Sequence, residues 1–142
     1  DEAIAVCKRL WTEAEIEHRG EFYQFEPVMF EPKPVQSPHP PIHIGGESPA
    51  ALRRAARIGD GWLAMGHSLE SIVEPLSQLR QFLEEEGRDP NNFTYIVTGV
   101  VKNRSELERW NELGITRMIS TPWRRSKEAL EGMRRYAELV FT

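Results

Sequence analysis

Four short apolar segments, each followed by a stretch with helical spacing of apolar residues, fill the chain from residue 42 to its end. The predicted strands cover residues 42–46, 62–65, 93–101 and 115–120, and glycines at 59, 87 and 114 mark helix ends between them. A chain that alternates strands and helices forms a parallel sheet, because each helix returns the chain to the edge where the next strand starts. The sequence therefore predicts an α/β fold of four parallel βα units.

Four such units are compatible with two architectures. A doubly wound sheet carries helices on both faces, whereas a (β/α)-barrel carries all of them on the outside. The periodicity of the sequence leaves both open. In either architecture ligands bind at the carboxyl ends of the strands, so we expect functional residues in the loops that follow the strands.

The first 41 residues have a different pattern. Residues 1–19 are predicted as a helix whose inward face carries Ala3, Cys7, Leu10 and Trp11. Residues 20–41 are predicted as an extended insertion loop, since six of the ten prolines lie between positions 27 and 41. A chain of 142 residues is long enough for one core, and we expect a single domain over residues 1–142.

Composition argues against several classes of partner. The net charge of −4 and the scattered arginines provide no basic stripe for nucleic acid. No apolar run is long enough to span a membrane, and the single cysteine, Cys7, cannot form an internal disulfide. We therefore expect a cytoplasmic protein with no nucleic-acid or membrane partner.

The loop after the first predicted strand has the chemistry of an anion site. Gly45 and Gly46 let the backbone approach a ligand closely. Ser48 is a good N-cap and Pro49 fits the first helical position directly behind the glycines. Free N–H groups at a helix N-terminus attract phosphate, so the anionic Glu47 side chain must turn away or accept a hydrogen bond. An ordinary capped turn would use the same residues, and the sequence alone leaves both interpretations open.

Other charged or aromatic residues near this loop have simpler interpretations. Arg53, Arg54 and Arg57 lie opposite the apolar stripe of the predicted helix and form a solvated face. Asp60 belongs to a helix-to-strand return, which lies at the opposite end of a barrel from ligands, and we interpret it as structural. Trp62 begins the second strand and is a secondary candidate for lining the pocket.

No residue stands out as catalytic, and the catalytic residues stay unknown. The histidines lack the spacing of a metal motif, so we expect no metal site, and "GESPA" lacks the Gly-x-Ser-x-Gly pattern of a nucleophile elbow. His67 is the substrate-side candidate, because it follows the second strand on the edge where ligands bind. The histidines that we expect to be structural are His18, His39 and His43.

Several motifs occur in order along the chain. A predicted helix contains Leu-Trp, then come Gly-x-Phe-Tyr, a Pro-x-Pro loop, a strand-Gly-Gly-helix segment and Gly-Asp-Gly-Trp. In this order they resemble the C-terminal half of the luciferase-like monooxygenase superfamily, especially its members that use the deazaflavin coenzyme F420. The resemblance implies a (β/α)8 barrel of about twice this length, in which the four strands are the fifth to eighth.

The resemblance also implies a role for the glycine loop, which in the superfamily meets the cofactor phosphate. The implied cofactor is coenzyme F420, with FMN as the alternative, and the complete protein would oxidise or reduce a small organic substrate. The fragment itself is expected to be inactive. A non-catalytic scaffold, or another barrel enzyme that binds a phosphorylated ligand, remains an alternative. The implied cofactor contacts are Gly45, Gly46, Glu47, Ser48, Ala51 and Trp62.

Half a barrel leaves two strand edges and one sheet face without a partner. The edges are the predicted strands at 42–46 and 115–120. Burial of apolar side chains on the open face is favourable by about 25 cal/mol per Å², so we expect a homodimer or larger assembly joined through the edges or that face. The side chains expected there are Ile44, Leu63, Val97 and Met118.

Overall fold

The computed structural model describes residues 1–141, which fall into two compact units. The N-terminal unit comprises Asp1–Pro41, and the C-terminal unit begins at Ile42. Each has its own internal packing and is described separately. A single domain over residues 1–142 stays a prediction.

The N-terminal unit consists of a helix and a short hairpin. Helix α1 covers Glu2–Thr12, and strands β1 (Ile16–Arg19) and β2 (Gln24–Val28) pair in an antiparallel manner. The helix predicted over residues 1–19 thus ends at Thr12, and the loop predicted over 20–41 contains a strand. Burial of Ile16 beside exposed neighbours explains the strand, because this alternation suits a sheet and not a helix.

The inward face of α1 differs from its prediction. Val6 is the buried residue of this helix, whereas Ala3 is exposed and Cys7 is only partly buried. Leu10 and Trp11 are also partly buried. The buried face of α1 therefore passes through Val6, one residue before the predicted Cys7.

The Glu2 carboxylate connects α1 to the turn of the hairpin. It accepts hydrogen bonds from the backbone N–H groups of Phe22 and Tyr23, each at 3.0 Å, and its Oε1 lies 2.8 Å from His18 Nε2. These donors favour the charged carboxylate. Chiefly because of the Phe22 N–H, the pKa of Glu2 is lower than its ordinary value.

Glu2→Gln is expected to remove the acid sensitivity of this turn. A lowered carboxyl pKa adds stability above the ordinary value of 4.5, and that stability is lost as pH falls through the lowered value. In an acid titration followed by amide NMR, the Phe22 and Tyr23 signals should therefore shift with a midpoint below 4.5 in the parent chain alone. Glu15→Gln changes an exposed carboxylate and is the matched control. Equal titration of these amides in the Glu2→Gln protein would contradict the assignment.

The C-terminal unit contains four βα units, as predicted. All its strands are parallel, and they lie in the order in which they follow one another in sequence. Right-handed crossovers in that order place every helix on the same face, as in part of a barrel, and there is no order reversal of the doubly wound kind. The strands are β3 (His43–Gly45), β4 (Gly61–Met65), β5 (Thr94–Thr98) and β6 (Arg117–Ile119), and the helices are α2 (Pro49–Ile58), α3 (Val73–Glu85), α4 (Arg104–Glu112) and α5 (Ala129–Phe141).

Strand register identifies the face of the sheet that the helices cover. Ile44 lies beside Trp62, and Val97 lies between Ala64 and Met118, so alternation places these five side chains on one face. Trp62, Ala64 and Val97 are completely buried there. The core of the unit therefore lies between this face and the helices.

The opposite face of the sheet is less covered. Met65 and Ile119 lie in one row across this open face and are 62% and 51% exposed. Its apolar side chains are the ones that a further layer of structure could bury. The predicted set is corrected accordingly: Leu63 belongs to the open face, but the helix-covered face carries Ile44, Val97 and Met118.

Apolar spacing predicts inward-facing stripes for α2 and α3, and both are confirmed by burial of all their residues, which are Leu52, Ala55 and Ala56 for α2 and Ile72, Leu76, Leu79 and Leu83 for α3. Leu52 on α2 and Leu79 on α3 are completely buried. For the next helix, α4, Ser105 and Glu108 have the spacing of a capping box and predict Ser105 as the cap. The helix instead begins after Asn103, whose side chain accepts the Glu106 N–H at 2.9 Å. None of the helices within residues 1–141 has the length and hydropathy of a membrane-spanning segment.

Helix α5 presents a different face to the core from the one predicted. Apolar spacing in the sequence predicts that Leu130, Met133, Ala137 and Val140 face inward. Val140 is buried, but the other three are exposed, and Gly132 is buried in their place. A Cβ on Gly132 would lie 2.9 Å from the Pro122 carbonyl oxygen, so the glycine allows close approach of the preceding loop. That contact sets the rotation of the helix.

Candidate functional site

The loop between β3 and α2 has the geometry of an anion site. Gly46 adopts φ +100°, and a Cβ there would lie 3.0 Å from the Ala51 Cβ, so the turn is suited to glycine. Ser48 caps α2, and its Oγ accepts the Ala51 N–H at 3.3 Å. Pro49 is the first helical residue, as predicted.

Three backbone amides of this loop have no acceptor. Within residues 1–141, no hydrogen bond engages the N–H groups of Glu47, Ser48 and Ala50. All three residues are exposed, so an anion in solution can reach these donors. Unbonded N–H groups beside the partial positive charge of a helix N-terminus are groups that can bind an anion.

The Trp62 side chain holds the glycine loop, residues 45–48, in place. Its side chain is completely buried, and its indole Nε1–H donates to the Gly46 carbonyl oxygen at 2.9 Å. Trp62 therefore positions the loop and has no surface of its own for a ligand. Asp60 is structural, as predicted, since its carboxylate accepts the Ile42 N–H at 2.8 Å.

The Glu47 side chain is directed towards the next strand. Its Oε1 accepts the Met65 N–H at 3.2 Å and lies 2.8 Å from His67 Nε2. That nitrogen is buried, and its contact with the carboxylate is a close approach without the alignment of a hydrogen bond. The other ring nitrogen, Nδ1, lies 3.0 Å from Ser71 Oγ. Glu47 thus joins the glycine loop to the loop after β4.

His67 is brought to the glycine loop by this arrangement. Its side chain is only 10% exposed and packs near the Trp62 ring, with centroids 6.3 Å apart. Sequence reasoning placed His67 on the ligand edge but missed its contact with Glu47. The available signal was that both residues follow adjacent parallel strands, whose carboxyl ends lie together.

The remaining candidates have other partners. Arg53 pairs with Glu85 at 3.2 Å and stacks over Phe82, in keeping with a solvated helix face. His18 belongs to the Glu2 contact in the N-terminal unit, and His39 Nδ1 lies 2.9 Å from the Pro40 carbonyl oxygen. Residues 1–141 contain no group of three or more His, Cys, Asp or Glu side chains arranged to hold a metal ion.

The chain, with its strand-Gly-Gly-helix loop on a sequential parallel sheet, matches the model of the luciferase-like monooxygenase family over residues 1–139. The chain belongs to this family. Among curated members, an uncharacterised protein of Mycobacterium tuberculosis is 35% identical over 120 residues, which cover 83% of this chain and 41% of that protein. The FMNH2-dependent dimethylsulfone monooxygenase of Pseudomonas putida is 38% identical over 80 residues, covering 56% of this chain and 22% of that enzyme. The chain thus spans well under half the length of these relatives.

Solved structures share the fold. The coenzyme F420-dependent tetrahydromethanopterin reductase of Methanopyrus kandleri aligns with a TM-score of 0.74 at 11% identity, over 98% of this chain and 60% of that one. A monooxygenase from Streptomyces bottropensis aligns with a TM-score of 0.60 at 24% identity, over 99% and 40% of the two chains. At these identities the likeness establishes the architecture.

Ser48→Ala is expected to destabilise the C-terminal unit by about 1 kcal/mol, because the Ala51 N–H loses its cap. Phosphate binding should weaken modestly, since the backbone donors remain. Urea unfolding and an amide NMR titration with inorganic phosphate measure the two effects. Ser105→Ala is the matched control, because Ser105 lies in the first turn of α4 but does not cap it. Equal losses in both variants would contradict the capping role.

Proposed function

We propose that this chain forms the phosphate-binding part of a flavin- or deazaflavin-dependent oxidoreductase. The observation that carries the proposal is the group of three exposed, unbonded amides at the start of α2. The turn at Gly46 supports it, because φ +100° and the nearby Ala51 Cβ suit glycine and let the backbone approach a ligand closely. The residues proposed to contact the phosphate are Gly45, Gly46, Glu47, Ser48 and Ala51.

Coenzyme F420 is the proposed cofactor, with FMN as the alternative. Both carry a phosphate on a ribityl chain, so one loop of backbone donors suits either. The Methanopyrus kandleri reductase, which shares the fold, is F420-dependent, and the Pseudomonas putida relative is FMNH2-dependent. The choice between them rests on the binding experiment below.

In this proposal the chain contributes binding and orientation. A bound flavin or deazaflavin would supply hydride chemistry through its ring. The N-terminus of α2 would compensate the phosphate charge, while Trp62 and the Glu47 side chain keep the loop in place. His67 remains the proposed substrate-side residue, since it follows β4 on the same edge. A small organic molecule is the proposed substrate class.

We further propose that the four strands correspond to the fifth to eighth strands of an eight-stranded barrel. Their sequential parallel order supports this, and so does the open face with Met65 and Ile119. The residues that complete the pocket and carry the chemistry would then come from four other βα units. The chain alone is accordingly proposed to bind the cofactor phosphate without turnover.

Calorimetric titration of the chain with matched ligand pairs tests the function. We expect F420 to bind about tenfold more tightly than its phosphate-free deazariboflavin core, or FMN to show the same advantage over riboflavin. Amide NMR should place the binding at residues 47–50. Equal affinity within both pairs would overturn the proposal. Glucose 6-phosphate binding as tightly as both cofactors would also overturn it, in favour of another phosphorylated ligand.

The open face of the sheet leads to a prediction about assembly. We expect light scattering to show a homodimer or larger species, because burial of the exposed apolar side chains is favourable. Ile119→Lys on β6 should reduce the mass towards that of a monomer. Val73→Lys on α3 is the matched control, since both parent side chains are 51% exposed. A monomeric parent chain at micromolar concentration, or dissociation by the control alone, would contradict the prediction.

A further inference from the structure

The His67 ring lies between the loops that follow β3 and β4, and its side chain is only 10% exposed. Its Nε2 lies 2.8 Å from Glu47 Oε1, its Nδ1 lies 3.0 Å from Ser71 Oγ, and the ring packs near that of Trp62. Both nitrogens of this enclosed imidazole therefore face polar atoms of the protein. The contact with Glu47 connects the carboxyl ends of two strands that pair with each other.

The short distance to Glu47 favours a proton on Nε2 of His67. An unprotonated nitrogen at 2.8 Å would present its lone pair to a carboxylate oxygen, and the two would repel each other. In the neutral ring, Nε2 carries the proton when the Ser71 hydroxyl donates to Nδ1. In the charged ring, Nδ1 donates to Ser71 Oγ, and the hydroxyl proton turns to the Ser68 carbonyl oxygen at 3.4 Å. The Ser71 hydroxyl therefore accommodates His67 in either charge state.

The Glu47 carboxylate is an unfavourable neighbour for a bound anion. Glu47 also supplies one of the three free amides at the start of α2, so its charge lies close to any phosphate held there. The hydrogen bond that its Oε1 accepts from the Met65 N–H directs the side chain towards β4 but leaves the charge in place. Like charges at short range repel each other, and salt screens partly buried charges less than exposed ones. A positive charge beside Glu47 would therefore strengthen anion binding.

His67 is the residue that can supply this charge. Within residues 1–141 the charged side chain in contact with its ring is Glu47, and its other contacts are an uncharged hydroxyl and an indole. Glu70, the other titratable residue of the loop after β4, lies 4.0 Å from Arg109. Histidine side chains ordinarily change charge between about pH 5 and pH 8. A protonated His67 next to the Glu47 carboxylate forms a pair without net charge.

We propose that His67 is a positioning residue of the glycine loop, which holds the Glu47 carboxylate against β4 and strengthens phosphate binding when its ring is protonated. This inference rests on the proposed function, because it concerns the same phosphate site. The role uses the two ring nitrogens and is separate from a contact with substrate. By linkage, the bound anion and the ring proton strengthen each other's binding by the same factor.

Calorimetric titration of the chain with inorganic sulfate at about pH 5 and about pH 8 tests the proposal. Sulfate keeps its double negative charge over this interval, whereas phosphate groups ionise further within it. We expect sulfate to bind about fivefold more tightly at the lower pH. In saturating sulfate, the NMR titration midpoint of the His67 ring should rise by about 0.7 pH unit, which expresses the same factor. Without any ligand, the Met65 amide signal should follow the His67 midpoint, because Glu47 contacts both groups.

Two variants separate the ring from the carboxylate. His67→Gln removes the titrating group and should abolish the pH dependence of both sulfate affinity and the Met65 amide signal. Glu47→Gln removes the repelling charge from an exposed side chain and keeps an acceptor for the Met65 N–H. It should raise sulfate affinity at the higher pH to about that of the parent chain at the lower pH, and it should lower the midpoint of the His67 ring.

His43→Gln is the matched control, because His43 is the other histidine of the C-terminal unit and lies beside Gly61 at the start of β4. This variant should keep the full pH dependence. Equal sulfate affinity at both pH values, a pH dependence that survives His67→Gln, or its loss in His43→Gln would overturn the inference and leave the phosphate site in place. Absence of sulfate binding at both pH values would overturn the proposed function and this inference with it.

Discussion

Trp62→Ala is expected to destabilise the C-terminal unit by about 3–5 kcal/mol, the range for loss of a large buried aromatic side chain. It should also weaken phosphate binding, because the Gly46 carbonyl loses the indole donor that fixes the loop. Urea unfolding measures the first effect, and an NMR titration with inorganic phosphate measures the second.

Two further variants make this result interpretable. Trp110 on α4 is 3% exposed, so Trp110→Ala should cost similar stability and leave phosphate affinity unchanged. Trp62→Phe keeps most of the buried surface but removes the N–H, and it should affect binding more than stability. If Trp62→Ala and Trp110→Ala changed phosphate affinity equally, the supporting role of Trp62 would be wrong.

Gly46→Val is expected to reduce phosphate affinity by at least about tenfold. A β-branched residue at φ +100° is strained by about 1–3 kcal/mol, and its Cβ would be crowded by Ala51 at 3.0 Å. The loop must therefore move, and its three free amides change position. Calorimetry with phosphate measures the loss.

Gly87→Val provides the matched control for backbone strain. Gly87 has φ +68° with nothing within 4 Å of a Cβ, and it follows α3, away from the glycine loop. This variant should lose stability but keep phosphate affinity. An unchanged affinity in Gly46→Val would refute the proposed role of the loop.

The sequence predicted those parts of the fold that local patterns determine. The four βα units, the Ser48 cap and the stripes of α2 and α3 follow from short-range periodicity and capping chemistry, and all are present. The predicted buried face of α5 was wrong, because the rotation of this helix depends on the contact between Gly132 and the loop at Pro122. That contact is set by tertiary packing, which apolar spacing does not encode.

The candidate site shows the same division. The direction of the Glu47 side chain follows from the electrostatics of an anion site and was expected. The partners of this side chain were not expected, because the Met65 N–H belongs to the neighbouring strand and His67 to the loop after it. Likewise, the side of the sheet to which Leu63 and Val97 belong was fixed only by strand register. A single sequence does not specify that register.

The sequential strand order of the C-terminal unit also governs how it folds and opens. Each of the strands β3 to β6 pairs with the strand next to it in sequence, so every pairing closes a loop of about one helix. No strand pairing spans more than one βα unit of the sequence. The two outer strands have one neighbour each, and local unfolding should therefore start at the edges and progress inward one βα unit at a time, as in a repeat protein.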